Sequence, residues 1–410
     1  MRREYDVIVA GGGPAGVAAA VAAGRAGART ALIEKTHIPG GITTGGMMTT
    51  IWDHENKPGL VREMLERLDA RGALTGGRWW HPDALVMLLD ELLAEAKVDV
   101  RYHTLAQGAD RDGDRLTTLH TASKSGPEQW RAKVYVDATG DGDLAALSGC
   151  GFDLGRPEDG GMQPASTFAL VRGIKRPLPG PGDTQAVLDK VGFRMTYRSG
   201  CFREVPGCPD VAKFVAVHVN GVDPTDADSL SAAEVDGRRQ LHETVEALRD
   251  SGDERYADMR IIWTGTLALR EGRRIHGLYT LTGEDCRAGR TFDDAVITAT
   301  FPLDIHHVKQ EEGQTWLSGM KVAPYQVPYR CLVAKDASNL LTAGRCISGD
   351  FLAHGSYRVV GDVVPLGEVA GEAAAVACRE GVAVAAVPAA GVARLPRPEE
   401  AREPECPPGF

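Results

Sequence analysis

The sequence predicts an α/β protein in which both ends of the chain build one domain around a parallel sheet. The middle of the chain is predicted to build an α+β domain rich in β-structure. A strand, a glycine-rich turn, a helix and a second strand follow one another over residues 5–34. Apolar strands at 133–137 and 338–342 each run into a turn that contains glycine, and between them proline and glycine punctuate the chain.

These observations predict a domain order. We place the sheet domain at residues 1–155 and 327–386 and the second, substrate-binding or cap domain at residues 156–326. A Pro-rich tail follows at residues 387–410, and we expect it to be poorly ordered. The sheet domain is therefore predicted to be discontinuous in sequence.

The first element is a Rossmann-like βαβ unit that is typical of dinucleotide binding. Gly11 permits a tight turn, Gly13 lets backbone amides approach a pyrophosphate, and Gly16 lets the helix pack closely on the strand. The helix N-terminus offers free N–H groups and partial positive charge to phosphates. Glu34 ends the second strand, where a carboxylate accepts hydrogen bonds from ribose hydroxyls and disfavours a 2′-phosphate.

The spacing of apolar residues predicts further helices and strands. An amphipathic helix is predicted over 83–96 and a strand of the same sheet over 98–102. Alternating stretches at 116–121 and 130–135 predict a small antiparallel excursion.

Two more helices are predicted later in the chain. A strongly polar one over 231–251 is expected to lie on the surface, and one with many small residues over 366–377 is expected to pack tightly.

Composition excludes several classes of function. The 410 residues carry a formal charge of −10 and no basic tract, which argues against nucleic acid as a partner. No run of apolar residues is long enough for a membrane span, and the start of the chain does not resemble a signal peptide. We expect a cytoplasmic protein without a membrane partner. The eight cysteines form no C-x-x-C pair, so no metal site is predicted.

Three further motifs lie beyond the βαβ unit. They are a glycine-rich loop at Gly40–Gly46, the strand end Asp137–Asp143 and the late segment Ala343–Ser348. With the βαβ unit, these motifs resemble the FAD-dependent oxidoreductases of the glutathione-reductase-like superfamily. They resemble more narrowly a bacterial FAD-dependent oxidoreductase family with GGxxTxG, DATGDGD and AGRCIS motifs. The likeness extends to about residue 381 and specifies FAD rather than a substrate.

The resemblance implies which residues hold non-covalent FAD. The turn would hold the pyrophosphate and Glu34 the adenosine ribose, and the residue just after the strand at 98–102, near Leu105, would present its backbone to the adenine. A helix opening near Gly367 would direct its positive end at the flavin N1/O2 edge. His37 lies on the adenosine side, which argues against a covalent flavin link. The implied contacts are Gly11, Gly13, Pro14, Ala15, Glu34, Lys35, Gly41, Thr44, Leu105, Thr139, Gly140, Gly344, Asp362 and Gly367.

Candidate catalytic residues are His306, Arg358 and Tyr357. Imidazole titrates near neutrality, and alternation along a strand would put Asp304 and His306 on one face, where the carboxylate could orient the ring. Arg358 could bind a carboxylate, and Tyr357 could donate a proton. The alternatives are histidines packed at a domain junction and a tyrosine that only fills space.

The adjacent arginines Arg273 and Arg274 leave a similar choice open. They could bind a carboxylate bidentately or form a plain surface or interdomain salt bridge.

The sequence favours a dehydrogenase or oxidase that transfers hydride between a small-molecule substrate and flavin N5. A carboxylate is one group that its arginines could bind. A flavin-dependent monooxygenase and a flavin-binding protein without turnover are the alternatives. No second G-x-G-x-x-G follows a strand, so a separate nicotinamide domain is not predicted. The oligomeric state stays open.

Overall fold

The computed structural model describes residues 3–180, 182–197, 199–309 and 320–395. Its strands, in chain order, are β1 (Arg3–Ala10), β2 (Thr30–Ile33), β3 (Leu74–Thr75), β4 (Trp79–Trp80), β5 (Asp99–Arg101), β6 (Thr104–Asp112), β7 (Arg115–Ser123), β8 (Gly126–Asp137), β9 (Phe152–Asp153), β10 (Ala165–Arg172), β11 (Cys201–Val205), β12 (Cys208–Val219), β13 (Arg260–Thr264), β14 (Arg274–Ile275), β15 (Ala295–Ala299), β16 (Tyr325–Pro328) and β17 (Leu340–Thr342). Its α-helices are α1 (Pro14–Arg25), α2 (Leu60–Asp69), α3 (Pro82–Glu95), α4 (Asp143–Leu147), α5 (Asp183–Lys190), α6 (Ala227–Asp250), α7 (Gly283–Arg287), α8 (Phe351–Tyr357) and α9 (Val360–Glu380).

The largest sheet joins the two ends of the chain. Its strand order is β5-β2-β1-β8-β7-β6, with β17 also paired to β8. The central strand β8 runs parallel to β1 with Asp137 opposite Ala10, and parallel to β17 with Tyr135 opposite Leu340. Its earlier half pairs antiparallel with β7, which confirms the predicted antiparallel excursion. The α/β fold class and the contribution of both chain ends to one sheet are therefore confirmed.

The contact between α1 and α9 holds the sheet's helical layer together. Both helices are rich in alanine and glycine along the facing sides. A Cβ atom on Gly367 would lie 2.1 Å from the Ala15 carbonyl oxygen, and one on Gly371 would lie 2.0 Å from that of Ala19. The two backbones can approach this closely only because these positions lack side chains. The predicted small-residue helix is confirmed, but it begins at Val360 rather than near Gly367.

The middle of the chain forms a second sheet in the order β11-β12-β10-β13, with α6 packed across one face. The polar helix predicted at 231–251 is longer, and Leu241, Val245 and Leu248 are fully or almost fully buried. The prediction of a surface helix is therefore only half right, because α6 has a polar outer face and an apolar inner one. We call this sheet and α6 the cap.

The boundary drawn at residue 327 stays a prediction. The buried cluster that contains Val7 and Val9 of β1 also contains Leu281, Val296 and Leu303, which lie before that boundary. Part of the segment assigned to the cap domain thus packs into the core of the sheet domain.

The expected disorder of the tail is wrong for its first residues. Val392 is 1% exposed, and the Arg394 guanidinium lies 2.5 Å from Glu372 and 3.4 Å from Glu368 of α9. An apolar side chain and an ion pair fix this segment although its composition is typical of a loop. The prediction for residues 396–410 falls outside the described residues.

None of the helices in the described part of the chain is both long and apolar enough to span a bilayer. The apolar residues of α1, α3 and α9 instead form the main buried cluster.

Candidate active site

The turn between β1 and α1 has the geometry of a pyrophosphate cradle. Gly11 has a φ of 97°, and a Cβ there would lie 2.4 Å from the Ala138 carbonyl oxygen. A Cβ on Gly16 would lie 1.8 Å from the Gly11 carbonyl oxygen. Gly13 differs, since a Cβ there would meet no protein atom within 4 Å. The space beside Gly13 lies at the N-terminus of α1, where Pro14 occupies the first turn, so it fits a phosphate group.

Glu34 lies beside this turn, 6% exposed. One of its oxygens accepts a hydrogen bond from the Gly12 amide at 2.5 Å and the other from the Thr36 amide at 2.7 Å. Two backbone donors hold the carboxylate at the end of β2, which fits the implied contact with ribose hydroxyls. Burial raises the pKa of Asp141, and the charge of Arg345 and, to a smaller extent, that of Lys35, the residue after Glu34, oppose this rise.

The second glycine loop packs directly on the first. The Gly40 amide donates to the Gly12 carbonyl at 2.7 Å, and a Cβ on Gly41 would lie 3.2 Å from the Gly13 Cα. The Thr44 hydroxyl donates to the Pro39 carbonyl at 2.5 Å and so stabilises the loop itself. Any contact of Gly41 or Thr44 with the flavin therefore involves mainly loop backbone.

The end of β8 closes the other side of the cradle. Thr139 donates its hydroxyl to Asp137 at 2.7 Å and accepts a hydrogen bond from the Asp143 amide at 2.8 Å. Gly140, with a φ of 82°, lies against the guanidinium of Arg345, which pairs with Asp141. Burial raises the pKa of Asp137 to about 6.

Gly344 completes this edge of the site. It has a φ of 86°, and a Cβ there would lie 2.9 Å from the Ala15 Cβ. The Gly11–Ala15 turn, Thr139, Gly140 and Gly344 are thus brought together at the carboxyl ends of parallel strands, where ligands bind in such sheets.

The start of α9 differs from the prediction. Asp362 is fully buried, and its carboxylate lies 3.1 Å from the Lys57 ammonium, which lies 3.1 Å from Asp53 as well. Burial, and then the charge of Asp53, raise the pKa of Asp362 well above its usual range. Asp362 is therefore held by Lys57, and Gly367 serves the contact with α1. The positive end of α9 is at Val360, not at Gly367.

Leu105 stands near the start of β6, opposite Ala122, and is 48% exposed. Its side chain is open to solvent, and its predicted backbone contact with adenine stays a prediction.

A group of polar side chains meets where the cap faces the sheet domain. His306 Nε2 lies 3.3 Å from Asp304 Oδ2, which confirms the predicted shared face. The Arg358 guanidinium donates to the Asp304 carbonyl at 2.8 Å and lies 3.5 Å from its carboxylate. Gln163 accepts from the His306 amide at 3.0 Å.

The cap contributes three residues that sequence reasoning missed. Arg270 donates to Ser166 at 2.8 Å and lies 3.1 Å from His218 Nε2. Tyr197 stacks on His218 with ring centroids 4.3 Å apart, and the His218 and His306 rings meet edge-on at 5.0 Å. The junction cluster consists of Gln163, Tyr197, His218, Arg270, Asp304, His306 and Arg358.

No motif marks the missed residues in the sequence. His218 lies on β12, Tyr197 precedes β11 and Arg270 follows β13, so only the folding of the cap sheet brings the three together. The one available signal was the position of Arg270 just before the Arg273–Arg274 pair.

Burial controls the charges of the junction cluster. It lowers the pKa of His306 despite the opposing charge of Asp304, and it lowers the pKa of His218 well below its usual range. Burial alone would raise the pKa of Asp304, but the charges of His306 and Arg358 outweigh it and lower that pKa. Burial also lowers the pKa of Arg270 to about 10, a value that still leaves it charged at neutral pH.

Three buried polar atoms of the cluster have no hydrogen-bond partner among the described residues. They are Gln163 Nε2, Asp304 Oδ1 and His306 Nδ1. Buried polar atoms are almost always satisfied, by protein, water or ligand. Because a donor, an acceptor and a titratable nitrogen are all unmatched in one place, the cluster can take a polar ligand.

The other candidate residues have structural partners. The Tyr357 hydroxyl donates to the Ile347 carbonyl at 3.1 Å within the core, which favours the space-filling alternative. Arg273 lies 3.0 Å from Asp143, and Arg274 lies 3.1 Å from Glu271, so both form the salt bridges that were the plainer alternative. His37 stacks on His103 at 6.4 Å.

Comparison with known proteins identifies the family. The model of the family described as FAD dependent oxidoreductase matches residues 6–395. No curated protein matches the chain.

Solved structures share the fold at low identity. The p-nitrophenol 4-monooxygenase PnpA from Pseudomonas putida DLL-E4 is 14% identical, with a TM-score of 0.51 over 95% of this chain and 83% of that one. The flavin-dependent brominase Bmp2 is 15% identical, with a TM-score of 0.52 over 95% of this chain and 82% of the brominase. A geranylgeranyl bacteriochlorophyll reductase-like protein from Thermoplasma acidophilum is 13% identical, with a TM-score of 0.50 over 93% of this chain and 80% of that protein.

The glycine cradle, with its open space at Gly13 and the carboxylate of Glu34 beside it, fits the cofactor that this family uses. The chain therefore belongs to the FAD dependent oxidoreductase family and is an enzyme with FAD as its cofactor.

Proposed function

We propose that this enzyme is a dehydrogenase or oxidase that removes hydride from a small carboxylate-bearing substrate at the junction cluster. The observation that carries the proposal is the excess of positive charge there. Arg270 and Arg358 face one carboxylate, Asp304, while the nearby Glu271 pairs with Arg274 at 3.1 Å. With both histidines neutral, the cluster holds one uncompensated positive charge.

An uncompensated charge in a poorly hydrated site is costly unless a ligand neutralises it. Arg270 contacts the Pro164 carbonyl at 2.7 Å and Ser166 at 2.8 Å, but no carboxylate lies against it among the described residues. A guanidinium binds a carboxylate through two parallel hydrogen bonds. Arg270 and Arg358 together therefore supply the charge and donors that an organic acid needs.

His306 supplies a proton acceptor. Its Nε2 faces Asp304 at 3.3 Å, so an Nε2–H would donate to that carboxylate and leave the lone pair of Nδ1 free. The lowered pKa keeps the ring neutral at physiological pH, as a base requires. Nδ1 would accept the proton that a substrate hydroxyl or amine releases when the adjacent carbon loses hydride.

Bound FAD supplies a hydride acceptor at its N5 atom. This chain's own contribution is to hold the substrate carboxylate at Arg270 and Arg358 and to accept the proton at His306. The cap's buried face excludes water from the reaction.

Anaerobic mixing tests the proposal. Purified holoenzyme is mixed with a panel of small 2-hydroxy and 2-amino acids and with their methyl esters, and bleaching of the flavin absorption is followed. We expect at least one acid, and not its ester, to bleach the flavin without NAD(P)H. The Arg358→Met variant should keep its FAD and lose about a hundredfold or more in kcat/KM.

Arg131→Met is the matched control, since Arg131 is exposed and outside the cluster. Bleaching by NAD(P)H alone, with oxygen transfer to the substrate, would instead identify a monooxygenase. No bleaching by any acid, or equal bleaching by acids and esters, would contradict the proposal.

A further inference from the structure

Lys213 and Arg203 form a second pair of cations. They lie on the face of the cap sheet that is turned away from α6, outside the junction cluster. Lys213 of β12 stands directly opposite Arg203 of β11 and Leu170 of β10. Residues directly opposite in antiparallel strands project to the same face. The adjacent residues Ala212 and Phe214 pack into the cluster under α6, so Lys213 and Arg203 project to the other face, toward the sheet domain.

Lys213 is buried without a counter-ion. It is 3% exposed, and no carboxylate pairs with its ammonium among the described residues. The centroid of the Phe168 ring lies 5.7 Å from its Nζ, and the Cys201 thiol is near enough to interact with it. Phe168 packs with Met47 beside the second glycine loop, so Lys213 lies between the cap sheet and the sheet domain. A buried ammonium without a carboxylate partner is unfavourable, because buried charges are normally paired.

The positive charge of Arg203 makes burial of the Lys213 ammonium still less favourable. Its guanidinium donates to the Phe202 carbonyl at 3.1 Å, and no acidic side chain of the described residues pairs with it. The neighbouring acid, Glu204, points to the opposite face and pairs with Arg176 at 3.2 Å. Like charges directly opposite in a sheet repel each other. The repulsion and burial together lower the pKa of Lys213 to about 8, with burial the larger cause.

A cleft opens beside this pair, and Arg203 is part of its wall, whereas Lys213 lies next to Arg203 across the two strands and is not in the wall. The cleft has a volume of about 330 Å³ and runs between the β3–β4 ribbon of the sheet domain and the edge strand β11 of the cap. Its walls include the apolar residues Trp79, Leu178, Pro179 and Phe202, the guanidinium of Arg203, and Glu204, whose carboxylate pairs with Arg176. An indole, aliphatic side chains and a guanidinium make a wall that suits the flat apolar body of an organic anion.

We propose that Arg203 and Lys213, the outer cationic pair, form a binding site for the anionic group of a small aromatic molecule that enters through this cleft. The anion would supply the missing counter-charge to both cations, and its ring would lie against Trp79 in the cleft wall. This site is separate from the junction cluster and does not depend on the reaction proposed there.

Isothermal titration of the FAD-loaded enzyme with benzoate, phthalate and inorganic phosphate tests the proposal. Arg358→Met is used as the background, so that binding at the junction cluster is removed. We expect benzoate or phthalate to bind this background, and to bind roughly tenfold or more weakly after Lys213→Met or Arg203→Gln is added. Lys124→Met, at an exposed turn, is the control and should leave binding unchanged.

Thermal unfolding gives a second readout that does not involve activity. If Lys213 is an unpaired charge awaiting a ligand, Lys213→Met should raise the Tm of the ligand-free enzyme and abolish the increase in Tm that phthalate causes. A purely structural lysine would lower the Tm when replaced. The proposal is overturned if neither aromatic acid binds the background, if phosphate alone binds, or if binding survives both substitutions.

Discussion

The glycine cradle and the junction cluster meet the same requirement, that of holding a charged ligand, by opposite means. The cradle uses backbone from one short stretch, Gly11–Gly16, in which Gly11 and Gly16 have no room for a side chain and Gly13 leaves open space for a ligand. The junction cluster uses side chains from β12, from loops near residues 163, 197, 270 and 304, and from the residue that follows α8. The difference shows that a site made of backbone can be encoded locally, whereas a site made of opposed charges depends on long-range packing.

The largest expected effect separates two functions of glycine within the cradle. Gly16→Ala should abolish FAD retention and much of the folded yield, because the new Cβ would lie 1.8 Å from the Gly11 carbonyl oxygen. Gly13→Ala should leave the fold intact, since no protein atom lies within 4 Å, yet weaken FAD binding. The ratio of flavin to protein absorbance and the circular dichroism spectrum measure the two outcomes.

Gly391→Ala is the control for both variants, because Gly391 is exposed and also has open space around it. If Gly13→Ala retained FAD as well as this control does, the open space at Gly13 would not be the phosphate site.

The next largest effect is expected at the buried side chains Asp53, Lys57 and Asp362, and it tests whether charged side chains as well as glycine backbone stabilise the sheet domain. Lys57→Met would leave the Asp53 and Asp362 carboxylates buried without their shared ammonium, and it should lower the free energy of unfolding by about 3–5 kcal/mol. Asp362→Asn should cost less, because the raised pKa of Asp362 already favours its neutral form. Urea denaturation at pH 7 measures both.

Asp53→Asn provides the comparison within this buried triad. It should cost more than Asp362→Asn, because Asp53 also accepts hydrogen bonds from the Thr300 amide at 2.7 Å and the Thr300 hydroxyl at 2.5 Å. Equal costs for the two substitutions would mean that the two carboxylates share the charge evenly.

A third prediction concerns the pH dependence at the junction cluster. His306 has a folded-state pKa below its ordinary value of about 6.5, lowered first by burial and opposed by Asp304. Substrate-driven flavin reduction should therefore fall in acid, as His306 takes up a proton, and be independent of pH above about 6.5. His306→Gln should reduce the rate and remove the acid limb in stopped-flow measurements.

The titratable and charged groups that face His306 are Tyr197, His218, Arg270, Asp304 and Arg358. His218→Gln is the appropriate comparison, because His218 is also neutral but lies against Tyr197 rather than Asp304. The acid limb should persist in that variant. Loss of the acid limb in the His218→Gln variant would mean that His218, and not His306, is the group that titrates.

The same lowered pKa values affect stability. A histidine whose pKa is lower in the folded than in the unfolded state binds fewer protons when folded. Stability from His306 and His218 is therefore present above about pH 6.5 and is lost as the pH falls below it.

The smallest effect is expected at the tail. Arg394→Gln removes the partly buried contacts with Glu372 and Glu368 and should lower the free energy of unfolding by about 1 kcal/mol or less. Arg379→Gln, which removes an exposed pair with Glu380 at 3.6 Å, should produce no measurable change. If both variants behaved alike, the ion pairs of Arg394 would not be what holds the tail on α9.

The sequence by itself determined the βαβ unit, the cofactor class and the pairing of both chain ends in one sheet, because each follows from short-range patterns. Glycine spacing, the acid after β2 and alternation at Asp304 and His306 depend on local geometry that repeats in every chain with those residues. Helix α3 and strand β5 were predicted within one or two residues for the same reason.

Tertiary structure alone decided where α9 begins, that Asp362 pairs with Lys57, that the tail packs, and which cap residues join His306 and Arg358. Each depends on partners far apart in sequence, such as Lys57 with Asp362 and Arg270 with His218. The energy of a buried charge is set by what surrounds it in space, and a linear pattern carries no record of that until the chain is folded.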